Sequence, residues 1–545
     1  MTTMTQGMVS AAQPEAVEAG ADVLASGGNA VDAAVAAALV QTAVDPFMCG
    51  IAGFGCCHIY MPAGTANAGA PTHTFIDFHG RAPQAVTPGM WEHLIVGETE
   101  DGFGFVLRDH INEIGYQSIT TPMTLRALDD CLTRHGTRTL ASLMPPAIAY
   151  CHEGFMVRPH VSAYLNETNT KGRIAHSEHA RRIPATAKIY IKPDGSLPTP
   201  GDILRNPAMG GTYERIVEAG VDDFYTGAIA QDIARDMAAH DALLTARDLA
   251  DVTTRSSEPL TGTYRGHTIT TNRPPGGGVM LIEMLNILEH FDLTAMGHNS
   301  AAYIATVAEA MKIATIDKDN HVGDPAFIDV PLARLTSKEH AAEAAARIKR
   351  GEKAHVARLK SGQDESRDTT HVSVVDRHGA CVSLTHSLGM PSGVVTEGLG
   401  FMYNGCMGVF DPRPGRPGSL APGKARFSAM CPTIVFKDDQ PFFVVGAPGG
   451  TYITMGVLQA ILNAVDFGMS AAESVAAARI CVTSDVIEIT NRVRRSVEAA
   501  LVKDGYEVRR YPLNFAFAGV HAIRIVDGVP DGGADPGRDG MVLTV

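Results

Sequence analysis

Apolar and polar positions change their spacing several times along the chain, and each change predicts a helix or a strand. Apolar residues lie on all sides of segment 29–40, so this segment is predicted to be a buried helix that follows a first helix at 14–25. Leucines recur at helical spacing in 124–135. Similar patterns predict helices at 140–152, 213–219, 228–239, 279–291, 300–315 and 451–465.

Runs rich in β-branched and aromatic residues predict the strands. They lie at 50–61, 74–78, 264–272, 372–375, 380–384, 393–395, 401–404, 434–436, 442–445, 520–525 and 541–545. The runs 372–375 and 380–384 are joined by a turn that ends at Gly379, so they predict a hairpin. The pattern alone indicates a mixed protein of the α/β or α+β class.

The segment before this hairpin has the arrangement of a self-cleaving protein. Residues 349–367 are strongly polar and are predicted to form an exposed, mobile loop that runs into Asp368 and Thr369. Attack of the Thr369 hydroxyl on the carbonyl of Asp368 would convert the amide to an ester, and hydrolysis would leave Thr369 as a new N-terminus. Its α-amine, with an ordinary pKa of about 7.7–8.0, could then accept the proton of its own hydroxyl. The alternative is that Thr369 and Thr370 only begin a strand, where Thr is favoured.

Composition narrows the possible functions. A net charge of −14 and a pI of about 5.8 leave no basic stripe for a nucleic acid. No run of ~18 apolar residues occurs, so no membrane span is predicted. Histidines such as His290 and His321 lack partners at metal-ligand spacing, and neither a metal nor another cofactor is expected.

The start of the chain and the cysteines predict a cytoplasmic protein. Residues 1–9 lack a basic segment followed by an apolar one, so no signal peptide is predicted. The nine cysteines show no paired spacing, and their odd number is typical of reduced, buried thiols.

Four blocks of sequence resemble γ-glutamyltransferases (glutathione hydrolases) in the same order along the chain. The string Thr-Thr-His-Val-Ser-Val-Val-Asp-x-x-Gly-x-x-Val-Ser-Leu-Thr from Thr369 resembles the start of the small subunit in that family. The other blocks lie at 27–38 with 45–46 and 50–55, at 264–266 with 274–278 and 285–289, and at 432–436 with 446–450.

The resemblance implies a fold and a division of the chain. The fold would be the four-layer αββα sandwich of the N-terminal nucleophile hydrolases. Self-cleavage between Asp368 and Thr369 would give a large subunit, 1–368, and a small catalytic subunit, 369–545, intertwined as one domain. The sequence leaves open whether this heterodimer forms a homo-oligomer.

The resemblance also assigns catalytic roles. Thr369 would be the nucleophile and its own base. Ser387 stands where the family has a Thr that hydrogen-bonds the nucleophile, and it retains the hydroxyl. Gly449 and Gly450, just before a predicted helix, would supply backbone N–H groups to the oxyanion. The alternative for this glycine pair is a plain tight turn.

Substrate recognition departs from the family at the residues expected to hold a γ-glutamyl group. In the segment after Phe78, His79 replaces the arginine that binds the α-carboxylate, and Arg81 lies two residues further on. Whether Arg81 reaches the pocket is left open.

A second predicted pocket segment is altered too. After Asn404, Cys406 and Val409 replace the amide and the acid that bind the α-ammonium. Of a Ser-Ser pair that meets the carboxylate, Ser428 remains beside Ala429. A γ-glutamyl zwitterion is therefore expected to bind poorly.

The sequence thus predicts a self-processing threonine hydrolase for a small-molecule amide, γ-glutamyl or related, with water or an amine as acceptor. Two substrate classes stay open: γ-glutamyl compounds held by Arg81 and Ser428, and amides of an acid without the ammonium, as in oxamate amidohydrolases and cephalosporin acylases. The alternative outside the enzymes is an unprocessed protein that only binds a ligand.

Overall fold

The structure is a computed structural model. It describes residues 4–64, 70–99, 104–167, 173–357, 368–512 and 517–545. Most of the loop predicted at 349–367 therefore lies outside the described residues.

Thirteen of the described strands form two large sheets at the centre of the molecule, and the others pair in small sheets. The strands are β1 (Met8–Ala11), β2 (Phe54–Met61), β3 (Thr72–Phe78), β4 (Ile95–Glu98), β5 (Phe105–Leu107), β6 (Phe155–Met156), β7 (Ile203–Leu204), β8 (Arg255–Ser257), β9 (Leu260–Tyr264), β10 (His267–Thr271), β11 (Asp368–Val375), β12 (Cys381–Gly389), β13 (Pro391–Val395), β14 (Met402–Asn404), β15 (Thr433–Lys437), β16 (Gln440–Gly446), β17 (Ile480–Cys481), β18 (Val486–Thr490), β19 (Glu507–Tyr511), β20 (His521–Val526), β21 (Val529–Ala534) and β22 (Met541–Thr544).

Helices cover these sheets. They are α1 (Pro14–Ala25), α2 (Ala30–Val44), α3 (Thr124–His135), α4 (Leu140–Leu143), α5 (Pro145–Glu153), α6 (Pro159–Leu165), α7 (His176–Arg181), α8 (Pro184–Tyr190), α9 (Pro207–Ala219), α10 (Asp222–Tyr225), α11 (Ala228–Ala239), α12 (Ala246–Ala250), α13 (Gly278–Leu288), α14 (Leu293–Met296), α15 (Ala301–His321), α16 (Leu332–Leu335), α17 (Lys338–Lys349), α18 (Tyr452–Val465), α19 (Ala471–Ala476) and α20 (Arg495–Lys503).

Both large sheets are antiparallel and lie face to face. The first has the order β22-β1-β11-β12-β2-β3-β8, and the second has the order β21-β20-β16-β15-β10-β9. Side chains alternate between faces along a strand. In β11, Val372 and Val374 therefore pack against the outer helices, whereas His371 faces the second sheet. The sheets approach closely, since a Cβ on Gly446 would lie only 2.1 Å from the His371 ring.

Helices on the two outer faces complete a four-layer αββα sandwich. Helix α2 is buried on nearly all sides against the first sheet, as its apolar composition predicts. Asn29 begins it with a capping box, in which its side chain and that of Asp32 accept each other's backbone N–H groups. Helices α13 and α18 pack on the second sheet.

Most predicted elements are confirmed, and several differ. The helix predicted at 140–152 is two helices, α4 and α5. The run predicted as one strand at 264–272 is two strands, because Arg265 and Gly266 form a turn with positive φ. The strand predicted from residue 50 begins at Phe54. Strand β1 was not predicted, yet it pairs with β11 in the middle of the first sheet. No helix among the described residues is long and apolar enough to cross a membrane.

Candidate active site

Strand register brings the predicted nucleophile to one end of the first sheet. Ser387 pairs with Phe54 across β12 and β2, and Thr369 is the second residue of the adjacent strand β11, within an irregularity between Asp368 and Thr370. The side chains of Thr369, Ser387 and Phe54 alternate onto the face that meets the second sheet. This edge between the two sheets is where a site can form.

The hydroxyl of Thr369 is buried and held by Ser387. Thr369 Oγ1 donates to Ser387 Oγ at 3.2 Å, and the side chain is 3% exposed. The backbone N–H of Gly389 donates to the same Ser387 oxygen at 2.7 Å. Thr370 instead faces the helical layer, where it accepts a hydrogen bond from Gln41 at 3.0 Å. Only the first of the two threonines is therefore placed at the sheet edge facing the second sheet.

Gly449 and Gly450 lie at the N-terminus of α18. The N–H of Tyr452 donates to Gly449 O at 3.0 Å, and that of Ile453 donates to Gly450 O at 3.3 Å. The N–H groups of Gly449 and Gly450 themselves make no hydrogen bond to another described residue. They stand at the positive end of a 14-residue helix, where an anion is stabilised.

A cavity of about 20 Å³, room for about one water, joins these groups. Thr369 and Gly450 line it together with three residues that the sequence predicts for substrate binding: Val409, Ser428 and Ala429. The Ser428 hydroxyl accepts the N–H of Met430 at 3.3 Å.

Two further predicted residues do not line the Thr369 cavity. His79 lines a larger cavity of about 680 Å³, where its Nδ1 lies 2.6 Å from Asp77. Burial raises the pKa of Asp77, but the charge and hydrogen bonds of His79 outweigh burial and hold the pKa below its ordinary value. Three strand intervals separate the strand of His79 from that of Thr369, a distance of about 14 Å. Arg81 donates to Thr253 O at 3.0 Å and does not line the Thr369 cavity.

Asn404 and Cys406 are buried and donate hydrogen bonds to backbone carbonyl groups near the site. Asn404 is fully buried and bonds the backbone of Ala52 and the backbone and hydroxyl of Thr120. Cys406 donates to Leu388 O at 3.2 Å, and burial raises the pKa of its thiol. Neither residue lines the Thr369 cavity.

Two arginines that sequence reasoning missed line this cavity. Arg173 and Arg426 are 8% and 3% exposed. Burial, and the positive charge of Arg173, lower the pKa of Arg426. The sequence signal for Arg426 was a single charged residue in the run 425–432, whose other residues are uncharged.

One cluster elsewhere could hold a metal ion, although the sequence predicted none. Ligand atoms of Glu283, Asp317 and His340 lie within 4.8 Å of one another. His340 Nε2 lies 2.9 Å from Asp317 and 3.3 Å from Glu283, the geometry of an ion pair shared by one imidazole.

Comparison with known proteins gives a consistent result. The family model described as gamma-glutamyltranspeptidase matches residues 16–545. Acylase ACY 1 proenzyme of Pseudomonas sp. (strain SE83) is 36% identical over 99% of this chain and 94% of its own length. Glutathione hydrolase proenzyme of Escherichia coli (strain K12) is 32% identical over 87% of this chain and 80% of its own.

Solved structures agree with the sequence relatives. A cephalosporin acylase from Bacillus halodurans superposes with a TM-score of 0.85 at 27% identity, over 99% of this chain and 96% of that one. The gamma-glutamyltranspeptidase of Helicobacter pylori gives 0.54 at 28% identity, over 62% of this chain and 90% of that one. The chain therefore belongs to the gamma-glutamyltranspeptidase family, amidohydrolases and acyltransferases of the N-terminal nucleophile hydrolase superfamily.

Proposed function

We propose that this chain cleaves itself before Thr369 and then hydrolyses an amide bond through an acyl-enzyme on that residue. The observation that carries the proposal is the position of the Thr369 hydroxyl. Thr369 lies at the start of a buried strand. Its hydroxyl bonds Ser387 at 3.2 Å, and the residue shares a cavity with Gly450 at the start of α18.

Self-cleavage would use the same groups as the later reaction. Oγ1 of Thr369 attacks the carbonyl of Asp368, the peptide nitrogen leaves as the α-amine of Thr369, and water hydrolyses the resulting ester. The products are residues 1–368, ending in the carboxylate of Asp368, and residues 369–545. Because Asp368 pairs with Gly389, which lines the cavity, its release would enlarge this small space.

In the mature enzyme the α-amine would act as the base. It takes the proton of Oγ1, the oxygen attacks the substrate carbonyl, and the N–H groups of Gly449 and Gly450 stabilise the oxyanion. The amine product leaves with a proton, and water or a second amine then attacks the ester. Before the reaction, the hydrogen bond from Oγ1 to Ser387 fixes the direction of the Thr369 hydroxyl. Once the amine takes the proton of Oγ1, the Ser387 hydroxyl donates to Oγ1 instead.

The acyl group remains to be assigned between two classes. Relatives include glutathione hydrolases and acylases. Val409 stands where the family binds an α-ammonium, and it lines the cavity with an apolar side chain. This supports an acyl group without that ammonium.

Replacement of the nucleophile tests the proposal. T369A is expected to remain one full-length band on a denaturing gel and to lose amide hydrolysis by at least about 1,000-fold. The matched control is T370V, which removes the neighbouring hydroxyl that bonds Gln41; it should still split into two bands and turn over substrate. Splitting of T369A at 368/369, or its hydrolysis at the parental rate, would contradict the proposal. A wild-type chain that never splits and never hydrolyses an amide would instead be a binding protein.

We also infer a cytoplasmic location, as the sequence predicts. All nine cysteines are buried free thiols, which is typical of a reducing compartment. Fractionation of the native host should place the protein with cytoplasmic markers, and its recovery with secreted proteins would contradict this.

A further inference from the structure

The cavity of about 680 Å³ that His79 lines has no part in the mechanism above. It lies at the β3–β8 edge of the first sheet, and none of its lining residues also lines the Thr369 cavity. Sites for small molecules are typically concave spaces of about this size, partly apolar and with a few placed polar groups. The cavity is therefore a candidate for a second ligand.

A hydrogen-bonded wall separates the two cavities. Asn272 lines the larger one, whereas Ser428 and Met430 line that of Thr369. Between them, the Asn272 side chain donates to Met430 O at 2.8 Å, and Ser428 N–H donates to Pro275 O at 2.9 Å. A ligand that fills the larger cavity is thus held apart from Thr369.

Opposite charges face each other in the larger cavity without forming an ion pair with one another. Asp77 and Arg255 are direct partners across β3 and β8, so their side chains lie on one face of the sheet. Asp77 Oδ1 accepts the backbone and ring N–H groups of His79, whereas Oδ2 has no hydrogen-bond partner among the described residues. Arg255 Nη1 lies 3.5 Å from Asp324, and its other side-chain N–H groups bond no described residue.

His79 fixes the orientation of Asp77. Its Nδ1 lies 2.6 Å from Asp77 Oδ1, and the residue is 3% exposed. Its Nε2 is buried and has no hydrogen-bond partner among the residues that the structure describes. Because buried polar atoms are normally paired with protein, ligand or water, this nitrogen is a second sign of a site for a ligand.

Apolar side chains form another part of the lining. Phe75 is buried at the floor, and Ile328 and Leu332 belong to the segment that covers the cavity. Phe327 also lines the cavity and is 43% exposed. Since apolar surface is stabilised when it leaves water, this lining favours a ligand with an apolar side chain.

We propose that this cavity binds a free α-amino acid with an apolar side chain, its ammonium on Asp77, its carboxylate on Arg255 and its side chain against Phe75 and Leu332. An α-amino acid fits because one carbon joins its two charges, as one strand pair joins Asp77 and Arg255. A ligand with a single charge would leave one of these two residues without a partner. The inference goes beyond the proposed function and does not depend on amide hydrolysis at Thr369.

Calorimetric titration of the wild-type protein tests the ligand class. L-Leucine is compared with 3-methylbutylamine, which lacks the carboxylate, with 4-methylpentanoate, which lacks the ammonium, and with glycine, which lacks the side chain. The Kd of leucine should be at least about tenfold below that of each of the other three. Absence of leucine binding, or an affinity no better than that of any one analogue, would overturn the inference.

Variants assign each charge of the ligand to a residue. D77N should lose the preference for leucine over 4-methylpentanoate, and R255M should lose the preference for leucine over 3-methylbutylamine. R247M is the control, because it removes an exposed arginine that pairs with Asp251 outside the cavity; it should keep the Kd of leucine. Preferences that persist in D77N and R255M, or equal losses for leucine and both analogues, would overturn the assignment. The wild-type comparison covers the case in which a variant fails to fold.

An amide assay separates this site from the Thr369 cavity. Saturating leucine should leave the KM for pentanoyl p-nitroanilide unchanged, and T369A should bind leucine as tightly as the wild type does. A KM that rises in proportion to the leucine concentration would place leucine in the Thr369 cavity and overturn the inference. Because calorimetry needs no turnover, a protein that binds leucine but hydrolyses no amide would refute the proposed function alone.

Discussion

Two buried clusters of charged side chains differ in where they lie relative to Thr369. Glu283, Asp317 and His340 join α13, α15 and α17, and opposite charges meet within 3.3 Å. Beside Thr369, the described charges that line the cavity, those of Arg173 and Arg426, have one sign.

The difference separates a structural role from a binding role. A balanced cluster gains its energy within the folded chain and ties three helices together. Charges beside Thr369 act on the groups that react there. Changes near Thr369 should therefore alter rates, and changes at the three-helix cluster should alter stability. Four predictions test this division, from the largest effect to the smallest.

The largest effect is expected at the proposed oxyanion site. In G449A, a Cβ would lie 2.7 Å from Cα of Ala518, at a φ of +135° that side chains rarely adopt. The displaced loop should lower kcat by about 100- to 1,000-fold, measured by steady-state hydrolysis. G468A, beyond the other end of α18, also has positive φ but meets no atom within 4 Å, and it should keep kcat. A G449A enzyme with parental kcat would remove this loop from the reaction.

A smaller loss of kcat is expected at Ser387, which bonds the proposed nucleophile Thr369. S387A removes the acceptor of the Thr369 hydroxyl and should reduce kcat by about 10- to 100-fold, the loss expected for one hydrogen bond to a reactive group. S383A deletes a hydroxyl on the same face of β12, where it bonds Val445 O, and should leave kcat unchanged. Similar rates for both variants would mean that Ser387 does not direct the nucleophile.

The pH dependence of kcat/KM should show the effect of the two arginines, Arg173 and Arg426. Their charges disfavour protonation of the α-amine of Thr369, so the pKa seen in kcat/KM should lie below the ordinary value of about 7.7–8.0. Below that pKa the rate should fall about tenfold per pH unit. R426M should move the midpoint upward, and a midpoint unchanged in R426M would show that the guanidinium does not act on the amine.

The smallest effect is on stability at the balanced cluster. Hydrogen bonds to Asp317 and then Glu283 raise the pKa of His340 to about 9. A raised pKa stabilises the fold at pH values below the unfolded pKa of about 6.5, and this stabilisation is lost as pH rises towards 9. H340Q should therefore be less stable than wild type by about 1 kcal/mol at pH 6, after allowance for solvent screening, and by little at pH 9.5.

Chemical denaturation at the two pH values measures this difference. H321Q is the matched control, because His321 lies 3.8 Å from the same Asp317 on the solvent side. Equal stability losses for H340Q at pH 6 and pH 9.5, or a loss of amide hydrolysis, would contradict the division between the two clusters.

The sequence predicted most of the local elements. Thr369 and Ser387 lie eighteen residues apart on one predicted hairpin, so their meeting follows from strand pairing. The placement of Val409 and Ser428 beside them depended on the family resemblance.

Other features depend on contacts that no local pattern encodes. Arg173 and Arg426 are far apart in sequence, and only the tertiary fold brings them to one cavity. Residues 264–272 were wrongly predicted as one strand because Tyr264 and His267 both fit a strand. The turn between them depends on the positive φ of Arg265, which the pattern of apolar and polar residues does not reveal. Four residues of β1 are too short a run to show alternation.

The order of strands has a consequence for the two products of the proposed cleavage. In the first sheet, β1 pairs with both β22 and β11, and β2 pairs with β12. In the second sheet, β10 pairs with β15. Segments on either side of Asp368 thus alternate as neighbours, and their separation would break backbone ladders in both layers. When labelled and unlabelled mature enzyme are mixed, the two fragments should therefore not exchange between molecules unless both preparations are first denatured.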